Sequence, residues 1–196
     1  YELDEYEGSF FLVMKHMPGA SLKDVLARQG RLSYERALEI TRQVAEALDF
    51  AHQKGLVHRD IKPANILFEQ DINGETRVVV RLSDFGFAKA IAGTNSASLS
   101  ASGAMIGTPA YMAPEVWRGK DVTPATDVYS LACVFFEMLT GEVLFAGDSP
   151  PDVMTKHVLD GPQFPTLWVD GVPESVGAML ERALDRDEGK RIAVAG

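Results

Sequence analysis

The stretch from Val57 to Leu67 reads VHRDIKPANIL, and its composition is typical of a functional loop. Apolar flanks, Leu56-Val57 and Ile66-Leu67, enclose five polar or charged residues: His58, Arg59, Asp60, Lys62 and Asn65. Apolar ends around a polar centre predict a loop held between two short strands. Pro63 lacks a backbone donor and restricts the residue before it to extended conformations, so no helix is expected through this point.

The composition is that of an ordinary globular protein. The 196 residues are 46% apolar and 24% charged, which is enough for one domain with a sizeable core. The net charge of −9 argues against nucleic acid or an anionic membrane as a main partner, because both need a basic face. No signal peptide pattern opens the chain, and no run approaches the ~20 apolar residues that span a bilayer. We therefore expect a cytoplasmic segment, whose parent protein could carry a membrane anchor outside it.

Capping residues and apolar spacing predict the helices. Ser21 can cap a short helix that Gly30 ends. Ser33 can cap a longer one that Gly55 ends, with an apolar face formed by Ala37, Ile40, Val44, Leu48 and Ala51. A third helix is predicted from Thr123-Pro124 to about Thr140. Two further helical segments are expected near Pro151 to Leu159 and Glu174 to Leu184.

The third of these helices is predicted to be the central one. Its residues are apolar all round, which is typical of a buried helix. Cys133 lies within this run, so we expect a buried thiol and no nucleophile. Two hairpins are also predicted: one has a turn at Glu7-Gly8-Ser9, and one has an Asn73-Gly74 turn before a strand from Arg77 to Leu82. The second hairpin would present Asp84 beside Asp60.

Three motifs, in order along the chain, resemble those of protein kinases. They are His58-Arg59-Asp60 followed by Asn65, then Asp84-Phe85-Gly86, and then Ala113-Pro114-Glu115. The resemblance runs from about Tyr6 to Arg191 and is closest to the bacterial type of eukaryotic-like (Hanks-type) Ser/Thr protein kinase. It implies an α+β, mainly α fold: a kinase C-terminal lobe with a residual β-hairpin from the small lobe and hinge.

On this resemblance, residues 1–196 are one partial kinase domain. Residues 1–17 would end the small lobe and form the hinge, and residues 18–196 would form the large catalytic lobe, truncated near its end. The glycine-rich loop, the lysine that contacts the phosphates and the glutamate partner of that lysine are absent from the sequence. The chain is therefore expected to be a fragment with weak ATP binding and little or no turnover of its own.

The resemblance also implies roles for individual residues. Asp60 would be the base that accepts the proton of the substrate hydroxyl, and Lys62 would neutralise the transferring phosphoryl group. Asn65 and Asp84 would hold Mg²⁺ or Mn²⁺ against the ATP phosphates. Thr108 would contact the base and the lysine, which is typical of Ser/Thr kinases. The other residues expected at ATP are the gatekeeper Met14, the hinge residues Lys15 and Met17, Ser21 near the ribose, and Leu67 below the adenine.

Other matched residues would regulate the enzyme or support its architecture. Arg59 precedes the base, which is typical of kinases controlled by phosphorylation of the activation loop, and Ser100 and Ser102 are the candidate sites, followed by Ser96 and Ser98. An unmodified serine-rich loop is equally compatible with this pattern. The expected architectural residues are His58 and Phe85 in the hydrophobic spine, Gly86 at a bend, Asp127 on the catalytic-loop backbone, and Glu115 paired with Arg191. For Leu67, a plain core role fits equally well.

The predicted function is transfer of the ATP γ-phosphate to Ser or Thr hydroxyls of protein substrates by the parent protein. The alternative is a non-catalytic pseudokinase or scaffold module, which would be expected to lose Asp60, Asn65 or Asp84, and none of these is lost. A kinase for small molecules generally lacks the combined segments at 107–109 and 113–115. Ser21 and Ala64 replace acidic residues found in many kinases with basic substrates, so no preference for basic sequences is predicted.

Overall fold

The computed structural model describes residues 2–6, 9–13, 19–69, 79–83, 109–165, 168 and 171–192, with only the backbone of residues 2–13 and 79. Several predictions lie outside these residues. They concern the Asn73-Gly74 turn and Met14, Lys15, Met17, Asp84, Phe85, Gly86, Ser96, Ser98, Ser100, Ser102 and Thr108.

Helices dominate the described part of the chain, which also contains two antiparallel hairpins. The helices are α1 (Leu22–Gln29), α2 (Tyr34–Gln53), α3 (Pro114–Trp117), α4 (Pro124–Thr140), α5 (Pro150–Thr155) and α6 (Ser175–Ala183). The strands are β1 (Glu2–Tyr6), β2 (Ser9–Val13), β3 (Ile66–Glu69) and β4 (Val79–Leu82). β1 pairs with β2, and β3 pairs with β4 so that Ile66 lies opposite Leu82. Within the described ranges, no helix combines the length and apolar character needed to cross a membrane.

The predicted caps at Ser21 and Ser33 and the predicted end of α4 are confirmed, whereas α2 ends at Gln53, before Gly55, and the helix predicted to Leu159 is π-helical from Lys156. The Ser21 hydroxyl accepts a hydrogen bond from Asp24 N at 3.2 Å, and the Asp24 carboxylate accepts one from Ser21 N at 2.9 Å. This reciprocal capping box satisfies amides that the first turn of α1 would otherwise leave unpaired. Ser33 caps α2 in the simpler way, accepting from Arg36 N at 3.3 Å. Gly141 ends α4 with φ 78°, a left-handed conformation that glycine adopts without steric cost.

The central helix α4 is buried as predicted. Of its 17 residues, 13 are buried, and it packs against α2 and α6. Cys133 is among them, and burial raises the pKa of its thiol far above the usual range. The predicted apolar face of α2 is also in the core. Full burial of one large apolar side chain stabilises a fold by roughly 1.5–3 kcal/mol. Because α2 and α4 bury many such side chains against each other, this helix pair forms the rigid base of the site.

The prediction of two short strands around the loop is only half right. β3 follows the loop, but Leu56 and Val57 form no strand, and Leu56 is 48% exposed. The physical reason is that the next two backbone amides, of His58 and Arg59, donate to the carboxylate of Asp127. A side chain thus takes the place that a neighbouring strand would have held.

Candidate active site

Asp127, in the first turn of α4, holds the backbone of the loop. Its Oδ1 accepts from Arg59 N at 2.9 Å, and its Oδ2 accepts from His58 N at 2.8 Å. The same Oδ2 lies 2.8 Å from His52 Nε2 at the end of α2. Asp127 is 1% exposed, and a buried carboxylate is tolerated only when it is hydrogen-bonded in this way. The most buried helix therefore fixes the position of the loop.

Arg59 adopts a strained conformation at the centre of this loop. Its φ is 69°, in the left-handed region that residues other than glycine rarely occupy. Such a conformation costs on the order of 1 kcal/mol or more and persists only where the surroundings enforce it. Here the Arg59 amide is tied to Asp127, and the next amide, of Asp60, donates to His58 Nδ1 at 3.3 Å.

Asp60, Lys62 and Asn65 form a compact polar cluster. The Asp60 Oδ2 lies 2.7 Å from Lys62 Nζ and 3.1 Å from Asn65 Nδ2, which also donates to the Asp60 carbonyl at 2.8 Å. The Asp60 side chain is 20% exposed, so a substrate hydroxyl can reach it. Because the amide nitrogen of Asn65 points to Asp60, the amide oxygen is the atom that can serve as a hard ligand for Mg²⁺.

His58 connects this cluster to β4. The ring is fully buried, and because Nδ1 accepts from the Asp60 amide, Nε2 carries the proton for the Ser83 carbonyl 3.0 Å away. In return, Ser83 N donates to the Asn65 carbonyl at 3.0 Å. Ser83 immediately precedes Asp84 in the sequence. The placement of Asp84 beside Asp60 stays a prediction.

A narrow cleft beside Asp60 has a second wall from the segment that precedes α3. The cleft is lined by Arg59, Asp60, Ile61 and Lys62 on one side and by Tyr111, Met112, Ala113, Val116, Thr126 and Ser130 on the other. The Ser130 hydroxyl donates to the Tyr111 carbonyl at 2.7 Å, and the Tyr111 hydroxyl donates to Glu137 Oε2 at 2.7 Å. Burial raises the pKa of Tyr111, and that of Glu137, so the phenol keeps the proton it donates. α4 therefore holds both walls.

The predicted partners Glu115 and Arg191 lie together in the core. Arg191 Nη1 and Nη2 each donate to one carboxylate oxygen of Glu115 at 2.7 Å. The remaining guanidinium donors reach the carbonyls of Ala125 and Asp185, and Thr126 donates its hydroxyl to Glu115. Burial by itself raises the pKa of Glu115, but Arg191 more than offsets it, so the pKa lies below the usual range.

The two described residues expected near ATP are direct neighbours. Ser21 pairs with Leu67 in an isolated antiparallel bridge, and Ala20 O accepts from Phe68 N at 3.0 Å. Gly19 permits this contact, because a Cβ there would lie 1.5 Å from the Phe68 carbonyl oxygen. The remaining predicted ATP residues lie outside the described part of the chain.

Sequence reasoning missed several residues that shape this site. His52 contacts Asp127 across 75 positions of sequence, and Ser130 and Glu137 hold the far wall through Tyr111. One available signal was that Ser130 and Glu137 are polar residues in a mostly apolar helix. No periodicity could have shown which partners they meet.

The chain matches a known protein family over almost its whole length. Residues 1–195 match the family model described as protein kinase domain. The chain is 39% identical over 185 residues to serine/threonine-protein kinase PknB of Mycobacterium leprae, covering 94% of this chain and 28% of that protein. It is 42% identical over 184 residues to the serine/threonine-protein kinase drp72 of Corynebacterium efficiens, covering 93% of this chain and 33% of the relative.

A third relative has the same kind of coverage. The chain is 36% identical over 181 residues to a probable serine/threonine-protein kinase of Streptomyces coelicolor, covering 92% of this chain and 26% of that protein. The chain thus spans about a third or less of the length of these relatives. A family match over almost every residue, at this level of identity, means that the chain belongs to the protein kinase family, in its bacterial Hanks-type serine/threonine branch.

Proposed function

We propose that the protein containing this chain transfers the γ-phosphate of ATP to Ser or Thr hydroxyls of protein substrates. The chain would supply the large lobe, with residues 1–17 as the end of the small lobe and the hinge. The observation that carries the proposal is the Asp60 carboxylate, held 2.7 Å from Lys62 Nζ and 3.1 Å from Asn65 Nδ2 beside the narrow cleft. The relatives named above are serine/threonine-protein kinases, which favours these hydroxyls over tyrosine.

Each residue of the cluster has a defined part in this chemistry. Asp60 accepts a hydrogen bond from the substrate hydroxyl and takes its proton as the phosphoryl group is transferred. Lys62, already paired with Asp60, offers a positive charge to the transferring group. The Asn65 oxygen, together with Asp84, would hold Mg²⁺, which when bound neutralises the charge of the phosphates. An amide oxygen and a carboxylate are the hard donors that this ion prefers.

The proposal has consequences for the isolated chain and for its location. Because the sequence lacks a glycine-rich loop and the phosphate-contacting lysine, we expect the 196-residue chain alone to bind ATP weakly and to turn over little or not at all. Because the reaction consumes ATP, we propose that this segment lies in the cytoplasm.

The test is phosphate transfer from labelled ATP and Mg²⁺ to a generic protein substrate. Three proteins are compared: this chain, the longer protein with a complete small lobe, and that longer protein with Asp60→Asn. The longer protein should be active, and Asp60→Asn should lower its rate roughly 10²- to 10⁴-fold, the usual loss for a positioned base. A folded but inactive longer protein would instead indicate a scaffold module. Ordinary kinase rates from this chain alone would overturn the expectation for the fragment.

A further inference from the structure

His157 is a fully buried polar side chain that the proposed chemistry does not use. It lies in the π-helical segment Lys156–Asp160, which continues α5, and it has 0% exposure. Within the part of the chain that the structure describes, its Nε2 has no hydrogen-bond partner. An unpaired buried nitrogen lowers stability, and π-helical turns are rare and frequently occur at functional sites. Both features call for a role beyond packing.

The environment of the ring determines where its proton resides. The Tyr129 hydroxyl lies 2.8 Å from Nδ1. Burial raises the pKa of Tyr129 well above its usual value, so the phenol stays protonated and can donate to Nδ1. Burial also lowers the pKa of His157 to about 4, so the ring is neutral at pH 7. A neutral ring that accepts at Nδ1 carries its single proton on Nε2.

The Pro109–Tyr111 turn packs against α5, the helix that continues into the segment of His157. The backbone groups of Pro109 and Ala110 are close enough to the ring to oppose the effect of burial on its pKa. This 3₁₀ turn carries Tyr111 into the cleft beside Asp60. A small movement of the turn toward the ring would complete the missing hydrogen bond of His157.

Aromatic neighbours hold the His157 ring in place, and a buried cation lies behind one of them. The Phe145 ring centroid lies 4.0 Å from that of His157. On the far side of Tyr129, the guanidinium of Arg191 lies 4.9 Å from the phenol ring centroid, and Arg191 is itself paired with Glu115. The imidazole is therefore the last member of a buried chain of contacts that begins at the Glu115–Arg191 pair and passes through Tyr129.

We propose that His157 is a positioning residue for the protein substrate: with substrate in the cleft, its Nε2–H would donate to a carbonyl of the Pro109–Tyr111 turn and so set the distance of that wall from Asp60. This inference rests on the proposed function, because it needs a protein substrate in the cleft. His157 is not among the residues that line the cleft beside Asp60. It acts through the turn, and its loss should weaken use of the protein substrate while leaving use of ATP unchanged.

The first test determines, in the 196-residue chain, which ring nitrogen of His157 carries the proton. ¹⁵N NMR of the imidazole at pH 7, assigned by the loss of signal in His157→Gln, should show a neutral ring protonated on Nε2. Tyr129→Phe should reduce this preference, since it removes the donor to Nδ1. A ring protonated on Nδ1, or a charged ring at pH 7, would overturn the inference.

The second test separates a positioning role from a merely structural one, in the longer protein. The side-chain nitrogen of Gln falls near that of Nε2, whereas the nitrogen of Asn falls near Nδ1. His157→Asn should raise the KM for a peptide substrate roughly fivefold to tenfold, the loss expected for one hydrogen bond, with the KM for ATP unchanged. His157→Gln should restore most of the loss. The matched control is Met154→Ala, an exposed position on α5, which should change neither constant.

The outcomes distinguish this inference from the proposed function. Equal defects in the Asn and Gln variants, or a parallel rise in the KM for ATP, would mean that His157 only supports the fold, and the inference would be wrong. Absence of any Asp60-dependent transfer in the longer protein would overturn the proposed function and, with it, the role in substrate binding. An Nδ1-protonated ring in an active enzyme would overturn the inference alone.

Discussion

At the scale of single residues, one carboxylate outside the reacting cluster sets the geometry of that cluster. Asp127 accepts hydrogen bonds from two consecutive backbone amides, those of His58 and Arg59, and contacts His52 as well. Asp60 follows directly in the sequence, so its position depends on a group that does no chemistry. Conversion of this carboxylate to an amide would present an N–H donor to one of these two backbone amides, which is itself a donor.

Asp127→Asn should therefore lower the free energy of unfolding by about 2–3 kcal/mol, because at least one buried donor loses its charged acceptor. Urea denaturation of the 196-residue chain, followed by circular dichroism, would measure it. The matched control is Asp121→Asn, an exposed carboxylate just before α4, which should stay within about 0.5 kcal/mol of the wild type. A loss for Asp127→Asn no larger than that of the control would contradict the anchoring role.

Single residues also show what the sequence could and could not reveal. The contact of Asp127 with the loop backbone was expected from the kinase resemblance, and the structure has that contact. His52 had no such signal: it follows a core position of α2, and its partner lies 75 residues away. His157 likewise had no sequence signal, since its partner Tyr129 lies 28 residues away in the chain.

At the scale of elements, local rules predicted what depends on neighbours in the chain. The caps Ser21 and Ser33 and the apolar face of α2 follow from hydrogen bonds and spacing within one helix, and each prediction is confirmed. The missing strand at Leu56-Val57 depends on a distant partner, Asp127. The spacing of apolar residues along the chain cannot show that a distant side chain takes the place of a neighbouring strand.

The approach of the 19–21 segment to β3 gives a prediction at this scale. Gly19→Ala should lower the free energy of unfolding by about 2 kcal/mol or more, because its Cβ would lie 1.5 Å from the Phe68 carbonyl oxygen and backbone must move. Since Ser21 and Leu67 are displaced with it, ATP affinity in the longer protein should also fall. Thermal unfolding of the chain and a nucleotide titration of the longer protein would measure the two effects.

Gly189→Ala is the control for this substitution. A Cβ at Gly189 would meet its nearest neighbour, Asp187 Oδ1, at 3.4 Å, and its backbone is not left-handed, so the change should be close to neutral. Equal effects at both glycines would mean that the close approach to β3 is unimportant.

At the scale of the whole molecule, the buried Glu115–Arg191 pair joins α3, beside the cleft, to a segment 76 residues further along the chain. The two ends of this link meet under the N-terminus of α4, where Arg191 also binds the Ala125 carbonyl. The kinase resemblance predicts this pairing of Glu115 with Arg191. The hydrogen bonds of Arg191 to the Ala125 and Asp185 carbonyls could not be predicted, because every residue has a backbone carbonyl and the sequence does not mark which one is used.

A double-mutant cycle at this pair tests the link. Glu115→Gln or Arg191→Met alone should lower the free energy of unfolding at pH 7 by about 3–5 kcal/mol, since each leaves a buried charge unpaired. The double variant should lose clearly less than the sum. The exposed pair Arg42 and Glu46, which lies on α2, is the control and should show no measurable coupling. Additive losses at the buried pair would contradict a direct interaction.

The pH dependence of this cycle has a definite sign. The pKa of Glu115 is lower in the folded protein than its usual value of 4.5, so the unfolded chain binds the proton more readily. The contribution of the pair is therefore complete above pH ~4.5 and is lost as the pH falls through the lower, folded value. Urea unfolding of wild type and Glu115→Gln should differ by a constant amount from pH 8 to 5, and the difference should shrink only below that range. A difference that already fell as the pH was lowered from 8 to 6 would show that a group titrating in that range, and not Glu115, governs the link.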